Sequence, residues 1–471
     1  ARALLAGPGV DDTNDSAIIR IVGTDVQLVA REGDQVPGLP ADTFYQLFNA
    51  PNSYITADGA VVFSGFLGGS GSTGGNDAVV ARFDDAGTTI ILRKGTAVPG
   101  LPGGTTLETV GGNMGVSPSG ATAQRSFTSD MVPDFQMTAI VHDSAGDGSE
   151  LQALARVRGP APGFPGMTIF WLDSVPQVDG HGRVVFPAVF GDLSGYPFTG
   201  QFAVFAGDAS GVAPIAADGW GSAHFPSGVT YSTQQQVKVN RSGDVSFVSF
   251  LQPAGDRVVL VQRSGADPAV ALRTGDPAPD SEPGTMMESI STMIAPFSDT
   301  GRVLANVSLT DQGAVPSNRA AIILAGPGFS RMLARSGDAA RGQPAGVVFE
   351  GLGAGRLLFA PRDRVVFRAV LSNGARALYL GAGVRDPEPL LTEGDRIDVS
   401  GGVGPTDERT ISSIEGAFAV NRADQVAVEV RFDDGTSAVV LGQLPTVCVP
   451  DTNLDGMVSP SDFNAWIIAF N

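Results

Sequence analysis

The fold class this chain predicts is all-β, as a seven-bladed β-propeller, and three observations predict it. The 471 residues include 62 Gly and 32 Pro, yet 42% are hydrophobic. Many short strands joined by tight turns reconcile these numbers, whereas a disordered chain would lack the apolar content. Two turn markers each recur seven times at a period near 60 residues. Helical hydrophobic spacing is confined to the last few residues.

The first marker is a strand ending in Arg or Ala, then a Gly-Asp turn and often Pro-Gly. Its copies centre on Gly33, Gly95, Gly159, Gly219, Gly275, Gly337 and Gly394, spaced 62, 64, 60, 56, 62 and 57 residues apart. The second is a turn followed by a strand rich in Val and Phe. It centres on Gly59, Gly120, Gly182, Gly243, Gly301, Asp363 and Asp424, spaced 61, 62, 61, 58, 62 and 61. Two independent markers at one period define a repeat.

Within the first period, strand-like stretches fall near Tyr45–Asn49, Ala60–Leu67, Ala78–Phe83 and Thr88–Arg93. The turn Asp84-Asp85-Ala86-Gly87 separates the last two, and Arg431-Phe432-Asp433-Asp434-Gly435 repeats its chemistry. Four antiparallel strands per 60 residues is a propeller blade. Ala17–Val22 and Val26–Ala30 read as third and fourth strands without a preceding first and second. The N-terminus is therefore expected to supply the fourth strand of the last blade, closing the ring. One third-type strand is then surplus, an extra outer strand or one placed on a neighbouring molecule.

Residues 1–445 thus form the propeller, and 446–471 form something else. Asp451, Asn453, Asp455, Gly456 and Asp462 fall at positions 1, 3, 5, 6 and 12 of a calcium loop. Such a loop uses side-chain oxygens at 1, 3 and 5, a backbone carbonyl at 7 (Met457), often a water-bridged group at 9 (Ser459), and a carboxylate at 12. Asp at position 12, in place of Glu, shortens that last ligand. Phe463, Trp466, Ile467 and Phe470 then follow at i, i+3, i+4 and i+7, the apolar stripe of a short helix.

This segment resembles the first half of a dockerin, the calcium-dependent module that tethers extracellular bacterial proteins. The likeness is to the type that opens on a cysteine (Cys448) and carries the run Ser459 to Trp466. It implies bound Ca2+ and a cohesin-like or other surface partner for the stripe. Dockerins carry two such units, and one is present here. The repeats themselves resemble the choice-of-anchor tandem-repeat proteins. Asn240, Gly243, Ser246 and Phe247 match that pattern with Ser for Ala, and Asn421 and Ala427 match with Asp424 for Gly. That resemblance covers residues 15–445 and implies an exported bacterial protein held at the cell surface, with no established reaction.

Formal charge is −19 with no basic cluster, which argues against nucleic acid and anionic membrane as partners. No apolar run is long enough to span a bilayer. Secretion with the leader already removed is expected. The lone Cys448 is either bonded to something outside the chain or a buried thiol.

Catalytic patterns are sparse. His142, His181 and His224 have no second His or Cys at metal-ligand spacing. His181 reads as a turn residue and His224 as part of a loop face. The Gly68–Gly75 stretch lacks the Lys-Ser/Thr end of a phosphate loop. Two acidic loops, Asp11–Asp15 and Asp143–Glu150, read as hydrated surface loops, with calcium binding the alternative. Three functional readings follow. The first is a non-catalytic exported propeller that binds or displays, tethered through its calcium tail. The second is a subunit of an extracellular polymer, built by self-association. The third is an enzyme acting on extracellular glycans through channel carboxylates.

Overall fold

The structure is a computed structural model that describes residues 2–5, 7–22, 25–112, 114–130, 137–173, 175–192, 200–291, 297–310, 319–381, 387–399 and 407–444. Among them every regular element is a strand, and the strands form eight antiparallel sheets of the β-propeller type. The first sheet joins β1 (Arg2–Leu4), β2 (Ser16–Val22) and β3 (Asp25–Arg31). The second is β4 (Phe44–Ile55), β5 (Val61–Gly68), β6 (Ala78–Asp84) and β7 (Gly87–Arg93). The third is β8 (Met114–Val116), β9 (Thr122–Phe127), β10 (Thr138–Asp143) and β11 (Leu151–Arg156). In the fourth, β12 (Thr168–Leu172) and β13 (Gln177–Val178) both pair with β14 (Val184–Gly191), followed by β15 (Gln201–Asp208) and β16 (Gly211–Ala217).

The fifth sheet is β17 (Thr230–Val239), β18 (Val245–Gln252), β19 (Asp256–Gln262) and β20 (Ala269–Arg273). The sixth is β21 (Met286–Ile290), β22 (Val303–Thr310), β23 (Ala320–Gly326) and β24 (Phe329–Arg335). The seventh is β25 (Phe349–Ala360), β26 (Arg364–Leu371), β27 (Arg376–Gly381) and β28 (Glu388–Thr392). The eighth is β29 (Arg396–Asp398), β30 (Glu408–Val420), β31 (Gln425–Phe432) and β32 (Ser437–Gln443).

The predicted count of seven blades is therefore corrected to eight sheets. The Gly-Asp marker closes the fourth strand, so it occurs in sheets one to seven. The other marker joins the first two full strands, so it occurs in sheets two to eight. Each marker is counted seven times because the two terminal sheets each lack one. The expected N-terminal clasp is also corrected. β2 and β3 pair with β1 in a sheet of their own, while β29 gives the eighth sheet its fourth strand on the other side of β30. The surplus third-type strand is real, and β2 and β32 each keep a separate sheet.

The second marker has a backbone cause. Its central residue sits in the left-handed region in all seven copies, from Gly120 at φ 99° to Asp424 at 58° and Asp363 at 55°. Glycine adopts that conformation without a Cβ clash, and Asp is among the few side chains that tolerate it.

The chain divides into two compact units, residues 1–221 with 228–244, and 222–227 with 245–471. Within each unit a core is shared between successive sheets. In the first unit, Val61 and Phe63 on β5 pack with Ile18, Val29 and Tyr45. Val62, the residue between them, packs instead with Leu107 and with Ala139 and Val141 of the third sheet. In the second unit, Val365 and Phe367 on β26 pack toward the sixth sheet, while Val366 packs toward the eighth. Strands buried on both faces need consecutive apolar residues rather than alternation, which is why β5, β14, β18 and β26 read Val-Val-Phe or Val-Ser-Phe.

The turns are tied to the next sheet by hydrogen bonds and ion pairs. Arg20 donates to the Gly59 carbonyl at 2.9 Å, and the Ala57 amide donates to Pro118 O at 2.7 Å. Arg183 reaches Gly243 O, and Arg364 reaches Asp424. Arg302 lies 3.1 Å from Asp363, which also accepts from the Thr300 hydroxyl at 2.5 Å. Asp363 is 6% exposed. Asp363→Ala leaves the Arg302 guanidinium partly buried without this acceptor and should cost ~3 kcal/mol. Asp85→Ala removes the surface partner of Arg20 and should cost under ~0.5 kcal/mol. Denaturant midpoints compare the two directly.

Candidate functional site

The predicted calcium ligands Asp451, Asn453, Asp455, Met457, Ser459 and Asp462 lie outside the described residues. So do the stripe Phe463, Trp466, Ile467 and Phe470, and Cys448. The remaining candidates are placed.

The loop between β10 and β11 is built around Asp143. This carboxylate is fully buried and accepts from the Gly148 amide at 2.8 Å and the Glu150 amide at 3.2 Å. Ser144 donates to Glu150, and the Ser149 amide donates to Asp147 at 2.9 Å; the Ser149 hydroxyl first and this amide second hold the Asp147 carboxyl below its ordinary value. The expectation of a hydrated acidic loop is corrected at Asp143, whose oxygens cap the loop's own backbone. In the Asp11–Asp15 loop, Asp11 likewise accepts from the Thr13 amide at 2.9 Å and its hydroxyl at 2.6 Å. The Thr13 hydroxyl is the larger cause of the lowered Asp11 pKa. Both loops are Asx-type turns by geometry. Among the described residues no group of three or more His, Cys, Asp or Glu converges on one point. No described helix is long and apolar enough to cross a membrane.

The three histidines separate. His181 is exposed in its turn, where Asp179 accepts from the His181 amide at 2.9 Å and from Arg183, as expected of a turn residue. His224 is exposed, its amide 3.2 Å from the Ser222 hydroxyl. His142 is 1% exposed, with Nδ1 2.8 Å from the Thr122 carbonyl. A carbonyl only accepts, so Nδ1 is the donor in this contact. Nε2 has no partner among the described residues. On the opposite face of the same sheet, a void of about 10 Å³ is lined by Val80, Leu92, Met114, Gln124, Val141 and Asp143. That is room for one water.

Sequence reading missed a row of exposed positions on the first strands. After a buried residue the register shifts, between Tyr45 and Leu47, Ile169 and Trp171, Met287 and Ser289, Phe349 and Gly351, and Ile411 and Ser413. Such bulges re-aim side chains. Leu47 is 45% exposed and Trp171 58%. Glu288 and Glu350 occupy the shifted step in consecutive sheets, and Glu108 follows buried Leu107 in the third. All three glutamates are exposed and make no ion pair among the described residues. The readable signal was their equal distance from the marker glycines, 13 residues in each case (Gly95 to Glu108, Gly275 to Glu288, Gly337 to Glu350).

Burial also shifts titration away from these loops. Tyr45 is pushed well above the ordinary phenol value by burial first and the charge of Asp34 second. Asp276 is pushed up by burial, with Arg273 opposing and Asp256 reinforcing. Lys238 on β17, one of two lysines in the chain, is pushed down by loss of water around its amine. A folded amine with lowered affinity for its proton binds fewer protons than the unfolded one. Stability therefore rises with pH, from the lowered folded value up to the ordinary value of 10.5. Lys238→Met should raise the thermal midpoint at neutral pH and flatten that rise; a thermal-shift series from pH 7 upward measures both.

The profile of a family of unknown function (DUF7453) matches residues 2–454. No curated protein matches the chain. Among solved structures, the chain is similar to the GH93 α-L-arabinofuranosidase of Fusarium graminearum, with 7% identity, TM-score 0.30, and 70% of this chain and 90% of that one covered. An acylaminoacyl peptidase aligns with 10% identity and TM-score 0.39, over 85% of this chain and 53% of that one. A PL25 ulvan lyase aligns with 11% identity and TM-score 0.28, over 89% and 99%. No residue role is carried over from any of them.

Proposed function

The chain belongs to the DUF7453 family, which brings no assigned reaction, and from that premise we propose a non-catalytic, exported β-propeller that binds or displays at a cell surface. It is tethered or assembled through its C-terminal calcium segment. The observation that carries this reading is the tail itself, with oxygen ligands at 451, 453, 455 and 462 and the apolar stripe in register behind them. The engagement of Asp143, Asp179 and Asp363 in turns and inter-sheet pairs supports a structural use of the acids.

The tail is proposed to bind Ca2+ through Asp451, Asn453, Asp455, the Met457 carbonyl and Asp462, with Ser459 through water. A cohesin-like surface protein, or a second copy of the chain in a polymer, is then its partner. Calorimetric titration of the full chain with Ca2+ should show one site, lost in Asp451→Asn/Asp455→Asn. Absence of any saturable site in the parent chain would sink the tether reading. Light scattering with Ca2+ and then chelator separates the polymer, which would dissolve on chelation, from a monomer that does not change.

A second reading, action on extracellular glycans, is favoured by the unpaired Glu288 and Glu350 on their shifted steps, by exposed Glu108, and by exposed Trp171 one residue past the shifted step of the fourth sheet. Release of reducing ends from a panel of polysaccharides, abolished by Glu288→Gln/Glu350→Gln, would establish it. No release from any member by the parent chain would remove it.

A further inference from the structure

The eighth sheet buries one face and leaves the other open. On β31, Val426, Val428, Val430 and Phe432 lie in the core shared with the seventh sheet, whereas Glu429 and Arg431, alternating with them, are exposed. β32 extends the open face, with Leu441 opposite Ala427 and Val439 opposite Glu429. Val439 and Leu441 remain 53% and 50% exposed. β32 is also the sheet's edge strand. Aliphatic side chains on an exposed edge are what sheets ordinarily cover with another segment or replace with charge.

A candidate cover lies within reach. Leu444, directly after β32, is 1% exposed, and its amide is held by the Asp424 carbonyl at 2.6 Å. Eighteen residues, 445–462, separate it from Phe463. At half extension they span ~30 Å, more than the ~17 Å back along β32 to Val439. Phe463, Trp466, Ile467 and Phe470 have the spacing of one apolar helix face and the same need for a dry partner. Residues 445–471 carry three Asp and no Lys or Arg, and the open face carries Glu429 beside Arg431, so reach and the apolar match, not charge, select this occupant.

We infer that the stripe Phe463, Trp466, Ile467 and Phe470 docks on the open face of its own eighth sheet, over Val439 and Leu441. A protein partner for the tail would then compete with the sheet for the stripe. The inference rests on the stripe and the sheet face, not on calcium ligation, and Ca2+ titration therefore tests the tether reading separately.

The chain has three tryptophans, and Trp171 and Trp220 are 58% and 39% exposed, so both accept Phe at little cost. In the full chain carrying Trp171→Phe/Trp220→Phe, Trp466 is the sole emitter. Docking predicts blue-shifted emission, protection from iodide, and no dependence on protein concentration. Val439→Glu/Leu441→Glu should shift the emission to the red and restore quenching, with the milder Leu441→Ser used if the double variant fails to fold. Three outcomes overturn the inference. They are a solvent-exposed Trp466 in the parent, protection that grows with concentration and so marks a second copy, and protection lost through Ile21→Glu/Val26→Glu on the first sheet while the β32 variants leave it intact.

Discussion

Burial of both faces of each internal sheet is the constraint on which the rest depends. Val61 and Phe63 face one neighbour and Val62 the other, so the second sheet alone would expose one apolar face whichever way it turned. A four-stranded meander of this composition is not an independent folding unit, and stability comes from stacking within each compact unit. The aromatic pairs follow from the same rule. Phe349, Phe367 and Tyr379 meet at centroid distances of 5.0 to 6.5 Å because three strands of the seventh sheet present them to one face. Repetition every 60 residues is thus the sequence record of a packing requirement.

The turns explain where the acids go. In several of these turns a left-handed residue brings a carbonyl or carboxylate into reach of an arginine from the preceding sheet, as with Arg20 and Gly59, Arg183 and Gly243, Arg302 and Asp363, and Arg364 and Asp424. Each such contact is modest when exposed and larger when both partners are desolvated. Carboxylates recruited to these contacts and to Asx turns are held as acceptors, which leaves them poorly placed for acid–base work. Glu288 and Glu350 on the shifted first strands are the contrasting pair, and they sit where a bulge turns the side chain outward.

The terminal sheets obey the same physics yet keep aliphatic side chains exposed. β31 alternates buried valines with Glu429 and Arg431, the pattern of a sheet with a single covered face. On the first sheet, Ile21 pairs with Val26 across β2 and β3, and the two are 42% and 64% exposed. These aliphatic faces are where the architecture leaves room for another segment or another chain.

The sequence by itself determined the all-β class, the period, the four-strand unit and the positions of the turns, because each depends on local chemistry: paired apolar residues, and a Gly or Asp at a left-handed step. It located the strands of the second sheet to within a few residues, although β4 runs on to Ile55 through irregular register. Only tertiary structure decided that there are eight sheets, since whether β2 and β3 join β32 or β1 is a choice between edge partners that no local pattern encodes. The same holds for Asp143, which reads as a solvated loop acid yet is buried, because burial is set by the sheet packed against it. Glu108, Glu288 and Glu350 share one distance from their marker glycines in the sequence, but the outward aim of Glu288 and Glu350 comes from register shifts that only strand pairing creates.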